Sequence, residues 1–215
     1  MKYWPIILVF AAVAIWMAMS ARTPTGDEGL HSIFSEEQYN AGLERVRDLT
    51  QKPIIEFDSG KYMSKSQIDD LKEGKELIRS LIAFEPRNFG PYVMLAKAER
   101  AMGERDEAVR NYKQALELIP AEPSDMETLW TRAEVLHDLA SFYYEEGDDK
   151  MAEEYANEAV RLINTNPKYL VLLAAIDSQL GKLAEARTLL DHALSLDPKN
   201  AAGKELDDEL KKAGK

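Results

Sequence analysis

Three regularly spaced glycines constrain this 215-residue chain more than any other feature of its sequence. Gly147 and Gly181 lie 34 residues apart, and Gly103 precedes Gly147 by 44, which is the same interval plus an insertion of ten. The segments Ala101–Pro120 and Gln179–Pro198 are identical at seven of twenty aligned positions. Self-similarity at a fixed period predicts a structure that stacks one small unit several times.

Each glycine lies within the same pattern of large apolar and small residues. Large apolar residues at i, i+3 and i+7 form one stripe of a first helix. The glycine ends that helix with a positive φ, alanines let a second helix cross closely, and proline blocks continuation. Each helix pair leaves an apolar face that its neighbours must cover. The recurring residues are Tyr92, Leu95, Ala96, Ala108, Tyr112, Ala115 and Pro120, then Leu136, Leu139, Ala140, Tyr143, Ala152, Ala156 and Ala159, then Leu170, Leu173, Ala174, Ala186, Leu190, Ala193 and Pro198.

This pattern resembles the tetratricopeptide repeat family from about Phe89 to Pro198, roughly half of the chain. The resemblance implies an all-α fold, a helical solenoid of antiparallel helix pairs. The chain departs from the family at Asn164, where a repeat would end in proline. It also departs at Glu99 and Asp177, where the family often has an aromatic residue. We expect the first helices to pack less tightly at these two acidic positions.

The flanking sequences extend the same plan. Ser35 and Gln38 form the capping-box pattern of an N-terminal helix. The segment Ser64–Pro86 is predicted to be a long helix that ends as the second helix of a degenerate repeat. Between these helices, Lys52–Met63 breaks the helical pattern and is predicted to be a loop.

The insertion before the second repeat is predicted to lengthen the first helix of that repeat back to about Asp125, with Ser124 and Glu127 as its capping box. The predicted organisation therefore has eight parts. These are 1–22 as a membrane anchor or signal peptide, 23–34 as a linker, 35–86 as N-terminal helices with the degenerate repeat, 87–120 as the first repeat, 121–132 as the insertion, 133–166 and 167–199 as the second and third repeats, and 200–215 as a polar capping helix.

An uncharged run of 19 residues, Tyr3–Ala21, stands between Lys2 and Arg22. Its length approaches the roughly 20 apolar residues that span a bilayer and exceeds the roughly 7–15 of a signal-peptide core. We therefore favour a retained single-pass anchor. The basic groups before the run place the repeats on the extracytoplasmic side. The alternative is cleavage after about residue 20 or 21, which would release a secreted or periplasmic protein.

Composition and motifs exclude several classes of function. The net charge of −11 disfavours nucleic acid as a partner, because phosphate contacts need Lys and Arg. The absence of cysteine excludes disulfides, thiolate metal sites and cysteine nucleophiles. The sequence has no phosphate-binding glycine loop and no nucleophile elbow, and its three histidines lack metal-ligand spacing. We therefore expect no enzyme, no cofactor and no metal site, and we assign the function to binding.

The resemblance implies that the first helices of the repeats line a groove, which in this family often takes a peptide or a partner helix. The matching positions are Val93, Lys97 and Arg100 in the first repeat, His137, Asp138, Ser141 and Tyr144 in the second, and Lys168, Val171 and Leu172 in the third. Some family members grip the C-terminal carboxylate of chaperones with Lys, Asn and Arg residues. Only Lys168 matches that set in type, and Asp138 would repel a carboxylate, so the chain is predicted to lack this clamp.

These observations lead to two main hypotheses. The favoured one is a membrane-tethered scaffold or assembly factor with a membrane-associated protein partner, because tethering raises the effective concentration of the groove for such partners. The alternative is a cleaved, secreted or periplasmic carrier or co-chaperone. A third hypothesis, self-association into a homo-oligomer, is disfavoured by the acidic composition.

Overall fold

The computed structural model describes residues 35–213, and all the regular structure in that range is helical. The predicted all-α fold is thus confirmed for the described residues, whereas the predicted anchor and linker lie outside them. No helix between residues 35 and 213 is both long and apolar enough to cross a membrane. The helices are α1 Glu36–Asp58, α2 Lys65–Phe84, α3 Phe89–Ala101, α4 Arg105–Leu118, α5 Met126–Glu146, α6 Asp149–Leu162, α7 Pro167–Gln179, α8 Leu183–Leu196 and α9 Ala201–Ala213.

The helices fall into two compact units that divide after Leu118. The first unit consists of the antiparallel hairpins α1–α2 and α3–α4, stacked through α2 and α3. The second consists of the hairpins α5–α6 and α7–α8, stacked through α6 and α7, and α9 packs against both helices of the last hairpin. Each unit is therefore a stack of helix pairs.

Left-handed glycines end the first helices of three hairpins. Gly103, Gly147 and Gly181 have φ of 76°, 79° and 77°, a region that side chains with a Cβ rarely adopt. At Gly147, the residue caps α5 and its N–H donates to the Tyr144 carbonyl at 3.1 Å. The sequence period is thus a turn that reverses the chain into the second helix.

The core of the first unit joins three helices. Tyr39 and Val46 of α1 pack with Ile78 and Leu81 of α2 and with Leu95 of α3. At roughly 1.5–3 kcal/mol for each fully buried large apolar side chain, this cluster contributes several kcal/mol to the stability of the unit. The stack of α1 and α2 on α3 therefore rests mainly on apolar burial.

The core of the second unit uses small residues at its helix crossings. Ala140 of α5, together with Ala152 and Ala156 of α6, packs against Leu173 and Ile176 of α7. Alanines at these crossings let the helix axes approach, as the repeat pattern predicted.

The predicted loop at Lys52–Met63 is wrong in its first half, because α1 continues through Pro53 to Asp58. Proline inside a helix removes one hydrogen bond and costs about 3 kcal/mol. Here Ile54 and Phe57 pack against a buried cluster that includes Leu71 of α2. The burial of these apolar side chains offsets the cost of the proline and keeps the helix intact.

The two predicted capping boxes differ in outcome. At α1 the box is confirmed, with the Ser35 N–H donating to Gln38 Oε1 at 2.9 Å and the Gln38 N–H donating to Ser35 Oγ at 3.2 Å. At α5 the predicted cap is wrong by one residue. Asp125 accepts the Thr128 N–H at 2.8 Å, so the helix begins at Met126 with an aspartate cap rather than Ser124.

Candidate docking faces

The predicted groove residues lie on α3, α5 and α7, the first helices of their hairpins. Val93, Lys97 and Arg100 belong to the first unit, and the other seven belong to the second. Each unit therefore presents its own set of candidate residues.

In the first unit, Val93 and Arg100 make contacts within the fold. Val93 is buried, and Lys97 is half-buried. Arg100 pairs with Asp58, and its guanidinium lies 5.6 Å from the ring centroid of Phe57. The continuation of α1 past its proline brings both of these partners to Arg100. Sequence reasoning that places a loop there gives no sign of this contact.

In the second unit, His137 and Asp138 are buried between α5 and α7. The His137 ring packs against the ring of Tyr169 of α7, with the centroids 5.0 Å apart and the planes tilted by 32°. Burial raises the pKa of the Tyr169 hydroxyl well above its usual range, and the nearby Glu134 and Asp138 carboxylates raise it further. The end of the α5–α7 contact at His137 is thus an aromatic pair beside two carboxylates.

Tyr144 marks the other end of the same contact. Gln179 Nε2 of α7 donates a hydrogen bond to the Tyr144 hydroxyl oxygen at 3.1 Å. Burial raises the pKa of Tyr144, and the carboxylates of Asp149 and Glu209 raise it further. Ser141 lies one turn before Tyr144 and is half-buried. Carboxylates therefore flank the α5–α7 contact at both ends.

The α7 candidates take three different positions. Lys168 is exposed, and Leu172 is half-buried beside the core of the second unit. Val171 is buried, with Leu206 of α9 in the same apolar cluster. A side chain packed beneath the final helix contributes to stability rather than to a docking surface.

Sequence reasoning missed two large apolar side chains on the first turns of α5. Met126 is 65% exposed and Trp130 is 43% exposed. Trp130 lies two turns before His137 and therefore on the same side of the helix. Counting one heptad back from the predicted groove residue His137, into the insertion, identifies Trp130 from the sequence. We call the exposed surface of these two helices the α5–α7 face. Its defining residues are Trp130, Glu134, Ser141, Tyr144, Lys168 and Leu172.

The expected loose packing at Glu99 is wrong, since this side chain is 1% exposed. Asn111 Nδ2 donates to Glu99 Oε2 at 2.7 Å, and Lys75 Nζ lies 3.9 Å from Glu99 Oε1. Lys75 also pairs with Glu104. Burial raises the pKa of Glu99 even though Asn111 and Lys75 act against the shift.

The expectation of loose packing is also wrong at Asp177, where a second group of charged residues connects two hairpins. Asp177 is 5% exposed, and burial raises its pKa while the Lys182 ammonium opposes the shift. Lys182 pairs with Glu153 of α6. Lys75 and Glu153 each directly follow the small residue at a helix crossing, so the two units place opposite charges at corresponding positions. Within each unit, the ion pairs of these residues connect one hairpin to the next.

The model of the tetratricopeptide repeat family matches residues 90–122, 133–166 and 167–200. The chain carries three tetratricopeptide repeats. The resemblance found in the sequence is thereby confirmed for the repeats. A comparison with curated proteins finds no match.

Solved structures show the same fold. The crystal structure of MamA has a TM-score of 0.52 and 17% identity, covering 77% of this chain and 88% of that chain. A tetratricopeptide repeat protein from Parabacteroides merdae ATCC 43184 has a TM-score of 0.54 and 21% identity, covering 79% of this chain and 60% of that chain. This chain is therefore similar to repeat proteins in its stacked helix pairs, and such a fold suggests protein–protein interaction.

Proposed function

We propose that this chain is a protein-interaction scaffold or assembly factor whose α5–α7 face docks a peptide or helix of a partner protein. The observation that carries the proposal is Trp130, a large aromatic side chain 43% exposed next to a surface of half-buried residues. Residues that dominate the binding energy at protein interfaces are enriched in Trp, Tyr and Arg. Repeat proteins use the extended surface of their stacked helices for such binding.

We further propose that Tyr3–Ala21 holds the scaffold at a membrane, with the repeats on the extracytoplasmic side and a membrane-associated protein as the partner. The uncharged length of this run supports the tether. The alternative, a secreted or periplasmic carrier or co-chaperone, requires cleavage after about residue 20 or 21. We expect the protein to stay in the membrane pellet after high-salt washing, with its N-terminal segment intact. A soluble product that lacks this segment would establish the alternative.

The docking proposal is tested by affinity purification of the tagged full-length protein and two variants. In Trp130→Ser, we expect the partner recovered with the parent protein to be lost, because the aromatic anchor is gone. Leu183→Ser is the matched control, since Leu183 is 48% exposed and belongs to α8, which contributes no defining residue to the face. Retention of every partner by Trp130→Ser, or equal loss with the control, would refute the assignment of this face.

A further inference from the structure

We infer that the partner segment of the α5–α7 face is a cationic amphipathic helix. This inference rests on the proposed function, because it names the chemistry of the partner at that face. A cationic partner differs from an acidic peptide or a free carboxylate terminus, whose capture needs basic residues on the face.

Glutamates follow the exposed side of α5. Glu127, Glu134 and Glu145 are 7 and 11 residues apart, close to whole numbers of helical turns, so they lie on one stripe. Glu127 and Glu145 are exposed, and Glu134 is half-buried. Trp130 is flanked on the same side of α5 by Glu127 one turn before it and by Glu134 one turn after it.

Acidic groups also border the α7 side of the face. Glu134 and Asp138 act on the Tyr169 hydroxyl, which places their negative charge beside α7. Asp149 and Glu209 act in the same way on Tyr144 at the other end. Of the six residues that define the face, Lys168 carries positive charge and Glu134 negative charge, while the surrounding groups named here are carboxylates.

This arrangement of carboxylates indicates that the partner segment carries positive charge. Several carboxylates around a partly apolar surface attract a segment with lysine or arginine and repel an acidic one, and they also speed its encounter with the face. Trp130 and Leu172 supply apolar contacts, which an amphipathic helix meets with side chains at i, i+3, i+4 and i+7. Trp130 and Tyr144 are 14 residues apart, or about 21 Å along α5, which matches about four turns of a partner helix.

The test uses full-length protein in a nonionic detergent, with Trp4→Phe and Trp16→Phe leaving Trp130 as the single tryptophan. One probe is a synthetic amphipathic peptide of about 18 residues built from leucine and lysine at helical spacing. The second probe is the same peptide with every lysine replaced by glutamate. We expect the Leu/Lys peptide to change the fluorescence of Trp130 and to bind at least roughly tenfold more tightly than the Leu/Glu peptide.

Variants separate the face from the net charge of the chain. The triple variant Glu127→Gln, Glu134→Gln, Glu145→Gln should weaken binding of the Leu/Lys peptide roughly tenfold. The control triple variant Glu154→Gln, Glu185→Gln, Glu205→Gln removes the same charge from exposed positions on α6, α8 and α9 and should leave the dissociation constant within about twofold.

Lys168→Glu gives a prediction of opposite sign. Adding a carboxylate to the α5–α7 face should tighten binding of the Leu/Lys peptide a few-fold, whereas a face built for acidic peptides would bind its probe more weakly after this change. Because Lys168 is exposed, this substitution tests the charge of the face without disturbing the core.

The inference is overturned if the Leu/Glu peptide binds as well as the Leu/Lys peptide, if both triple variants weaken binding equally, or if neither peptide changes the fluorescence of Trp130. The proposed function fails separately, when Trp130→Ser retains every partner in the affinity purification. If Trp130→Ser loses its partner while the peptides give one of the overturning results, the docking face stands and only the chemistry assigned to its partner is wrong.

Discussion

At the scale of single residues, Gly74 of α2 marks a close approach between α1 and α2 in the first unit. A Cβ built on Gly74 would lie 2.6 Å from Thr50 Cγ2 on α1, which is closer than real Cβ contacts come. Other second helices carry alanine at this crossing, for example Ala152. Only glycine lets α1 and α2 approach each other with threonine at position 50.

We predict that Gly74→Ala lowers the free energy of unfolding by about 1 kcal/mol. The clash costs about 1–3 kcal/mol, and the better helix propensity of alanine returns about 1 kcal/mol. Thr50→Ser removes the clashing methyl group and keeps the hydroxyl that donates to the Val46 carbonyl at 2.9 Å. The double variant should therefore recover most of the loss in urea unfolding, and a double variant no more stable than Gly74→Ala would disprove the clash.

The raised pKa of Glu99 predicts a pH trend. The folded carboxyl keeps its proton to a higher pH than the unfolded one, so its contribution to stability falls as pH rises above the ordinary glutamate range. Glu99→Gln does not titrate and retains an oxygen to accept from Asn111. We expect the stability of this variant relative to the parent to increase between about pH 4.5 and pH 8.

The measurement for Glu99→Gln is urea unfolding across that pH range. Glu154→Gln, at an exposed position on α6, sets the baseline for losing one surface charge. A stability difference between Glu99→Gln and the parent that is constant with pH, or that falls as pH rises, would contradict the prediction.

At the scale of helices, the C-terminal end of α1 and the N-terminal end of α5 differ from the ends that local sequence signals predict. In α1 the local signal at Pro53 favours a break, yet Phe57 packs on the second and third helices and the helix continues. In α5 the predicted cap is displaced by one residue, because Asp125, which has an extended backbone, is the residue whose side chain accepts the Thr128 N–H. Because α5 begins at Met126, Trp130 lies within its first two turns, and its side chain is 43% exposed.

The position of the α5 cap can be measured. Asp125→Ala should lower the free energy of unfolding by about 1 kcal/mol, because the Thr128 N–H loses its acceptor. Ser124→Ala should change it by less than about 0.5 kcal/mol, because Ser124 is an exposed residue outside the helix. Equal losses in thermal or urea unfolding would place the cap elsewhere.

At the scale of the whole molecule, the described residues form two units, each of which contains apolar clusters, and the candidate anchor precedes them in the sequence. The proposed orientation depends on Lys2 before the apolar run and Arg22 after it, so the preference is slight. Small changes in the number of basic residues should therefore shift it.

We predict that the double substitution Thr23→Lys, Thr25→Lys weakens or inverts the preference of the full-length chain for one membrane orientation. The reason is that it places two more basic residues directly after the apolar run. The readout is a C-terminal fusion to an enzyme that is active only in an oxidising compartment. Activity should be high for the parent and for the control Thr23→Ser, Thr25→Ser, and low for the lysine variant. High activity for all three proteins would contradict an anchor oriented by charge.

The sequence by itself determined the repeat, because the glycine turn, the alanines at crossings and the terminal proline each act locally at a fixed spacing. Gly147 and Ala140 illustrate this, since a positive φ and a close helix crossing need those residue types wherever they occur. The candidate site was only partly predictable. Ser141 and Lys168 lie on the α5–α7 face, whereas Val171 is buried in the apolar cluster that includes Leu206 of the last helix.

Tertiary structure alone decided which side chains are committed to the fold. The sequence predicts poor packing at Glu99 and Asp177, but Lys75 reaches Glu99 from α2, and the Lys182 ammonium beside Asp177 pairs with Glu153 of α6. Arg100 likewise meets Asp58 only because α1 passes through its proline. Burial and ion pairing depend on residues distant in sequence, and their free energies outweigh local preferences of about 1–3 kcal/mol.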